Sequence, residues 1–191
     1  VLIFVASPKY GQFIFLGAAG AGFMGIFLAL ESYRLERLAV WKNPEAYEKG
    51  YQTLQGLYAI GSGGLFGRGL GQSIQKLGFV PEAQNDMIFS IICEELGLFG
   101  AICVILLFII MLWRIIYISQ NSPDLFGSLL AVGVFAHIAI QVIINIAVVT
   151  NVFPNTGVTL PFISYGGSAT ILLLAELGIV FNISSQINLE R

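Results

Sequence analysis

The sequence has 191 residues, of which 57% are hydrophobic and only 10% charged, and its formal net charge is −2. Soluble domains carry roughly 25% charged residues, so this composition excludes a soluble globular protein. The small net charge and the lack of a basic run argue against a nucleic-acid partner. We therefore expect an all-α polytopic membrane protein, a bundle of transmembrane helices.

The first predicted elements are a partial and a complete membrane span. The apolar run of residues 1–6 is too short for a span, which takes roughly 20 residues. We interpret it as the end of a preceding transmembrane helix. The chain is then expected to be the C-terminal portion of a longer protein, with residues 1–191 forming one integral membrane domain. Residues 10–31 form the first complete predicted span.

Residues 32–85 are too polar to cross the bilayer and form a long predicted loop between the first and second complete spans. Arg34 and Arg37 lie just beyond the first span, where arginine either snorkels to the lipid headgroups or binds a phosphate. A short interfacial helix is predicted further along the loop from side chains at helical spacing: Tyr51, Leu54, Gln55 and Tyr58.

A glycine-rich run occupies the second half of this loop, with Arg68 inside it and Lys76 after it. The run matches neither the dinucleotide-binding fingerprint nor the P-loop, so a nucleotide site is not predicted. Exposed backbone N–H groups beside the two cations could still cradle a pyrophosphate.

Four acidic residues lie where the loop returns to a hydrophobic helix: Glu82, Asp86, Glu94 and Glu95. Charges beside a membrane span are costly unless they face a cavity or a partner, so this group is the predicted functional site. The helix is predicted to begin at Asn85 or Asp86 and to reach Trp113. Asp86 is then either a simple helix cap or a reactive group.

The remaining spans are predicted at residues 125–149 and from Ser164 to about residue 183. His137, Gln141 and Asn145 repeat every four positions on the first of these, which predicts hydrogen bonding between helices, with a proton relay as the alternative. Cys93 and Cys103 are ten positions apart on one predicted helix, too far for a disulfide, and no zinc-site spacing is present.

The distribution of Lys and Arg leaves the orientation open. The 32–85 loop contains more of these residues than the other side, but loops approaching 60 residues contribute weakly to the positive-inside rule.

Several stretches together resemble the SEDS family of cell-wall polymerases: GYQTLQGLYAIGSGGLFGRGLGQSIQK, PEAQNDMIF, EELG and TLPFISYGGS. The resemblance covers nearly the whole chain, and GLGQSIQK favours the FtsW/SpoVE branch of division and sporulation over the RodA branch of elongation. Members of this family have ten spans. The resemblance therefore implies that this chain corresponds to the end of the sixth span through the tenth. It also implies a bacterial cell membrane, with loop 32–85 extracytoplasmic and the C-terminus cytoplasmic.

The resemblance also implies an activity, peptidoglycan glycosyltransfer from lipid II with release of undecaprenyl pyrophosphate. It implies a class B penicillin-binding protein, a transpeptidase, as partner. The essential aspartate of the family lies in a Pro-Glu-x-x-x-Asp segment, which places it at Asp86. Asn85 and Met87 stand where the family usually has Thr and Phe, which alters the surroundings of the carboxylate but retains it.

One general base suffices for such a reaction, because pyrophosphate is a good leaving group and needs no second carboxylic acid. Asp86 is the predicted base. Positive charge to hold the pyrophosphate would come from basic side chains, or from a divalent cation (Mg or Mn) held by Asp86 with Glu94 or Glu95. Glu94 and Glu95 are the predicted supporting residues. The predicted substrate-binding residues are Arg34, Arg37, Arg68, Lys76, Glu82, Ser164, Gly166, Gly167 and Ser168.

Two other classes of function remain open at this stage. A flippase for a lipid-linked precursor also needs charged side chains facing a membrane cavity. A non-catalytic scaffold that docks a transpeptidase accounts for the polar helix faces but not for the acidic group.

Overall fold

The computed structural model describes residues 10–29, 32–81 and 83–187, and all regular secondary structure within them is helical. The predicted all-α class is confirmed. The α-helices, in chain order, are α1 (Tyr10–Ala29), α2 (Ser32–Lys42), α3 (Tyr51–Gly63), α4 (Ile88–Gln120), α5 (Leu125–Val149) and α6 (Gly167–Ser185). Short 3-10 helices occur at Pro44–Ala46, Glu48–Gly50 and Gln75–Leu77.

Within the described residues, three helices are long and apolar enough to cross a membrane, namely α4, α5 and α6. The 20 residues of α1 match the length of a span, and its crossing of the membrane stays a prediction. The predicted long loop contains α2 and α3 and is therefore largely helical. The short helix predicted around Tyr51 is confirmed as α3.

The core forms where α5 packs against α4 on one side and α6 on the other, while α3 packs against the first turns of α4. Ile138 and Val149 of α5 are fully buried, and Phe108 of α4 and Val180 of α6 are nearly so. The outer faces of α4 and α6 are apolar and exposed, as expected for helices in contact with lipid.

The bounds of α5 agree with the predicted span. Asp124 stands at its N-terminus, and its side chain accepts a hydrogen bond of 3.3 Å from the backbone N–H of Gly127. An aspartate in this position satisfies a backbone donor that the first turn leaves without a partner.

The predicted start of α4 is wrong. The helix begins at Ile88 after a turn over residues 83–87, its N-cap is Met87, and no side chain caps it. Asp86 therefore does not serve as the cap, and it does not share a helical face with Glu94. The far end is also later than predicted, at Gln120 instead of Trp113, because no helix breaker occurs before the Asn-Ser-Pro turn that follows.

A break in α4 at Gly97 was not predicted. Gly97 has φ 67° and ψ −165°, outside the helical range, and the glycine-rich segment before α4 inserts at this break. The backbone N–H groups of Leu98 and Phe99 donate to Gly64 and Leu65 at 2.9 and 3.1 Å instead of to the preceding helical turn.

The carbonyls freed by this break are used by the same segment. Arg68 and Gly69 donate their backbone N–H groups to the carbonyls of Glu94 and Glu95, at 3.0 Å each. A Cβ at Gly67 would overlap the Glu95 carbonyl. The two backbones can therefore approach this closely only with glycine at the contact.

Candidate functional site

A cleft of about 410 Å³ opens at the end of the molecule where α4 begins and α5 ends. The residues that line it come from α2, α3, the turn before α4 and the loop after α5: Arg37, Val40, Trp41, Gln52, Thr53, Asp86, Asn151, Asn155, Thr156 and Gly157. The structure thus brings two predicted site residues, Asp86 and Arg37, to one cleft.

The carboxylate of Asp86 is held from α3. Asp86 is 9% exposed, and Gln52 donates from its side-chain amide to Asp86 Oδ1 at 3.3 Å. The same amide nitrogen lies 3.2 Å from the carbonyl of Pro81. On the other side, Gln52 accepts a hydrogen bond of 3.2 Å from the Asn155 side chain. Gln52 therefore connects the turn that carries Asp86 to the loop after α5.

The backbone of Asp86 is held from α5. Asn145 is fully buried, and its amide nitrogen donates to the carbonyls of Asp86 and Val158, at 2.8 Å each. Two carbonyl acceptors at this distance require the nitrogen, not the oxygen, of the amide on this side. One side chain thus fixes the turn before α4 against the loop after α5.

Positive charge at the cleft comes from α2. Arg37 is exposed at the rim and donates from Nη1 to the carbonyl of Asn155 at 3.4 Å. Trp41, one turn further along α2, donates from its indole nitrogen to the carbonyl of Asn151 at 3.0 Å. Among the described residues that line the cleft, Asp86 is the acidic one and Arg37 the basic one.

Glu94 and Glu95 lie outside this cleft. Glu94 is fully buried, and its carboxylate accepts hydrogen bonds from the Ser73 hydroxyl at 2.5 Å and from the N–H groups of Ile74 and Gln75. Arg68 forms an ion pair with the Glu94 carboxylate, with Nη1 at 3.5 Å from Oε1. The predicted supporting residues thus bind the glycine-rich segment, and they do not share a ligand position with Asp86.

Glu95 repeats this arrangement. Its carboxylate accepts from the N–H groups of Gly71 and Ser73 at 2.9 and 3.3 Å, and it forms an ion pair of 2.6 Å with Lys76. Arg68 and Lys76, predicted to bind pyrophosphate, therefore contact carboxylates of α4 and do not line the Asp86 cleft.

The predicted residues near α6 do not line the Asp86 cleft either. The Ser164 hydroxyl accepts a hydrogen bond from the N–H of Leu160 at 2.7 Å, and α6 starts at Gly167. Ser164, Gly166 and Gly167 line a separate, open depression beside Ile88. Ser168 is exposed in the first turn of α6.

Two further predicted site residues have no described side chain. Arg34 lies in α2, three positions before Arg37, but only its backbone is described. Glu82 lies outside the described residues.

One member of the polar stripe on α5, His137, makes the predicted contact between helices, whereas Gln141 and Asn145 bind a loop and a turn instead. His137 Nδ1 lies 2.9 Å from Glu176 of α6, which is a contact between helices. Gln141 donates to the hydroxyl of Thr159 at 3.4 Å. Asn145, the third member, binds the loop after α5 and the turn of Asp86 as described above.

Gln52 and Asn155 were missed by the sequence analysis. Gln52 contacts Asn155 and Asp86 across 103 and 34 positions of the chain, so no local spacing reveals these contacts. The helical pattern around Tyr51 placed Gln52 on a helix, but it did not indicate which side chains form hydrogen bonds with the Gln52 amide.

Few of the described side chains could serve as ligands of a metal ion. Within the residues that the structure describes, no group of three or more His, Cys, Asp or Glu side chains could hold a metal. Mg²⁺ is often bound by one or two carboxylates together with substrate phosphates, so Asp86 alone still fits a cation delivered with a pyrophosphate.

These features define a helical membrane protein with a carboxylate and a guanidinium in a cleft at one end of its spans. The chain belongs to the FtsW/RodA/SpoVE family of cell cycle proteins, whose family model matches residues 1–189.

Curated relatives support the same assignment. Stage V sporulation protein E of Bacillus subtilis is 50% identical over 187 residues, which cover 96% of this chain and 51% of that protein. The probable peptidoglycan glycosyltransferases FtsW of Coxiella burnetii and Trichlorobacter lovleyi are 43% and 40% identical, covering 96% and 99% of this chain and 50% of each relative. The chain thus spans about half the length of the curated relatives it matches.

Two solved structures share the fold. One is described as "Structural coordination of polymerization and crosslinking by a peptidoglycan synthase complex"; it has a TM-score of 0.78 and 26% identity over 100% of this chain and 53% of the other. The second is a crystal structure of a mutant of the rod shape determining protein RodA of Thermus thermophilus. It has a TM-score of 0.54 and 32% identity over 71% of this chain and 41% of the other.

Proposed function

We propose that this protein is a peptidoglycan glycosyltransferase that polymerises lipid II into glycan strands during cell division or sporulation. The observation that carries the proposal is the Asp86 carboxylate, 9% exposed and facing a cleft that Arg37 also lines. The chain is 43% and 40% identical to two relatives named as probable peptidoglycan glycosyltransferases.

In the proposed reaction, Asp86 accepts the proton of a sugar hydroxyl as that oxygen attacks the anomeric carbon of a lipid-linked sugar. The new C–O bond forms while the bond to the lipid pyrophosphate breaks, and the pyrophosphate departs with the bonding electrons. A general base placed in this way typically contributes a factor of about 100 to 10,000 in rate. Gln52 of α3 holds the carboxylate of Asp86, and Asn145 of α5 holds its backbone carbonyl.

Substrate binding is assigned first to Arg37, because it is the described cation that lines the cleft with Asp86. Arg34 lies three positions earlier in α2, at a spacing that places two side chains on one helical face, so we include it as a second phosphate contact. The other predicted binding residues stay predictions: Arg68, Lys76, Glu82, Ser164, Gly166, Gly167 and Ser168.

A divalent cation fits this proposal in one way. Asp86 would supply a carboxylate oxygen, and the pyrophosphate would supply the others. Glu94 and Glu95 are not assigned as ligands, since both carboxylates already accept several hydrogen bonds from the glycine-rich segment.

A class B penicillin-binding protein is the proposed partner. The structural relative that belongs to a peptidoglycan synthase complex supports a transpeptidase beside this fold. We further propose a bacterial cell membrane as the location, with residues 32–85 and the Asp86 cleft outside and the C-terminus in the cytoplasm.

The decisive experiment uses the full-length protein with its transpeptidase partner and fluorescent lipid II. Asp86→Asn removes the base but keeps the shape of the side chain, so the polymerisation rate should fall about a hundredfold or more. Asp124→Asn is the matched control. It makes the same change at the α5 cap, where Asn is as good as Asp, and should retain the parent rate.

The same assay separates the alternatives. Glycan strands made by the parent and lost in Asp86→Asn support the polymerase. Lipid II movement across the bilayer without any glycan product would instead identify a transporter, and neither activity would identify a scaffold. An Asp86→Asn variant that polymerises at the parent rate would show that the assignment of the base is wrong.

A further inference from the structure

We propose that residues 64–79, here called the glycine loop, lie at the headgroups beside α4 and insert their apolar side chains into the lipid bilayer. Glu94 and Glu95 make this insertion possible by accepting the hydrogen bonds of the loop backbone. The proposal requires only that α4 spans a membrane, and it is independent of the proposed enzymatic activity. It assigns a structural role to the two carboxylates that the Asp86 cleft does not use.

The first observation is the apolar surface of the glycine loop. Large apolar side chains point away from the protein along its whole length, including Phe66 at 83% exposed and Leu70 and Leu77 at 76% each. Others in the same loop are Leu65, Ile74 and Phe79. A loop that lies in water rarely presents such a continuous apolar surface, which instead marks a contact with membrane or with another apolar partner.

The second observation selects lipid as that contact. The loop is joined to α4 at Leu98 and Phe99, whose backbone N–H groups donate to loop carbonyls. Both side chains are exposed, and the exposed apolar surface continues along the helix through Ile102 and Leu107. The apolar surface of the loop is therefore continuous with the lipid-facing surface of a membrane-spanning helix.

The third observation is the hydrogen bonding of the loop backbone. Non-helical backbone within the hydrocarbon needs protein partners for all its polar groups, whereas backbone at the headgroups can also bind water. Between Gly67 and Leu77, every backbone N–H except that of Leu70 donates to a partner among the described residues, whereas only the carbonyls of Gly69, Ile74 and Gln75 accept a backbone hydrogen bond. The remaining carbonyls need water, which places the loop backbone at the headgroups and not in the hydrocarbon. Four of the N–H groups are satisfied by the carboxylates of Glu94 and Glu95, those of Gly71, Ser73, Ile74 and Gln75.

The fourth observation is charge balance. Each carboxylate has one cation from the loop, Arg68 for Glu94 and Lys76 for Glu95. The cluster is therefore neutral overall, as a charged group near hydrocarbon requires. The two cationic side chains remain 38% and 34% exposed, so they can extend toward the headgroups from a loop whose apolar side chains enter the lipid.

The test measures the depth of the loop in the full-length protein, reconstituted in lipid nanodiscs. Spin labels are attached to Phe66→Cys in the loop, Leu107→Cys on α4 as the lipid reference and Glu48→Cys as the aqueous reference. Cys93 and Cys103 are replaced by Ala in this background. Collision with oxygen reports lipid, and collision with a nickel chelate reports water.

We expect the label at position 66 to collide with oxygen and to be protected from nickel severalfold relative to position 48. Nickel accessibility equal to that at position 48 would overturn the insertion. Protection from both reagents would overturn it as well, since that result indicates protein, not lipid, over the loop.

The role of the carboxylates is tested with the same label. Glu94→Gln replaces an acceptor oxygen with a donor and leaves Arg68 without its counter-charge, so nickel accessibility at position 66 should rise severalfold. If Glu94→Gln does not yield folded protein, Glu95→Gln replaces it in the test and should raise nickel accessibility in the same way. Glu176→Gln, which alters a carboxylate on α6 far from the loop in sequence, is the control and should leave the label unchanged. An unchanged label in Glu94→Gln and in Glu95→Gln would refute the role of the carboxylates.

Discussion

The side-chain amide of Asn145 donates a hydrogen bond of 2.8 Å to the backbone carbonyl of Asp86, across 59 positions of the chain. The same nitrogen donates to Val158, so the C-terminal part of α5 sets where the turn before α4 meets the loop after α5. This one buried side chain therefore helps to position two walls of the Asp86 cleft.

Asn145→Ala should therefore destabilise the protein and reduce polymerisation. The change leaves the buried carbonyl of Asp86 and the part-buried carbonyl of Val158 without the amide donor. A buried group left without a partner costs about 1–3 kcal/mol. The measurements are the melting temperature in detergent and the rate of lipid II polymerisation. Asn182→Ala removes an exposed asparagine at the end of α6 and should leave both unchanged. If Asn145→Ala matches this control, Asn145 does not hold the site together.

Gln52→Glu should slow polymerisation by a factor of about ten or more. The substitution replaces the donor to Asp86 with an acceptor of like charge, and hydrogen bonds to charged groups contribute about 1.5–3 kcal/mol. Gln55→Glu makes the same change one turn further along α3, outside the cleft. It should retain nearly full activity. Equal rates for the two variants would show that Gln52 does not position the carboxylate.

Gly97→Ala should lower the stability of the protein by more than about 2 kcal/mol. Positive φ alone costs a non-glycine residue about 1–2 kcal/mol, and the new Cβ would overlap the backbone of Gly67 and Leu65. Gly178→Ala is the matched control, because nothing lies within 4 Å of its Cβ position in α6. Thermal unfolding compares the two, and a parent-like Gly97→Ala would argue against the break in α4.

His137→Gln should leave the polymerisation rate nearly unchanged and should introduce no new pH dependence. His137 pairs with Glu176 at a half-exposed position between α5 and α6, away from the Asp86 cleft. Interhelical hydrogen bonds of this kind contribute about 0.6 kcal/mol on average. A pH–rate profile of parent and variant is the measurement. A loss as large as that of Asp86→Asn would revive the proton relay.

The proposed orientation predicts which positions an impermeant maleimide reaches. In a background without Cys93 and Cys103, Glu48→Cys should react on intact spheroplasts, because the 32–85 loop is placed outside. Ser185→Cys, at the exposed end of α6, should react only after the membrane is opened with detergent. The reverse pattern would place the Asp86 cleft in the cytoplasm and remove it from the site of glycan polymerisation.

Local signals in the sequence determined the helical class, the bounds of α5 and the position of α3. These depend on apolar composition over about 20 residues, on helical spacing and on turn residues such as Asp124, all of which act within a few positions of the chain. The resemblance to a known family directed attention to Asp86. The sequence also indicated Arg37 as a candidate phosphate contact, but together with Arg34, Arg68 and Lys76.

Only the tertiary structure separated the four acidic residues that the sequence grouped together. Asp86 faces a cleft because Gln52 and Asn145 approach it from 34 and 59 positions away. Glu94 and Glu95 face the glycine loop because α4 breaks at Gly97 and exchanges backbone hydrogen bonds with that loop. Glu94, eight positions after Asp86, carries the same carboxylate group, so the sequence alone does not distinguish their roles. What distinguishes the two is the set of donors around each, and packing between distant segments decides that set.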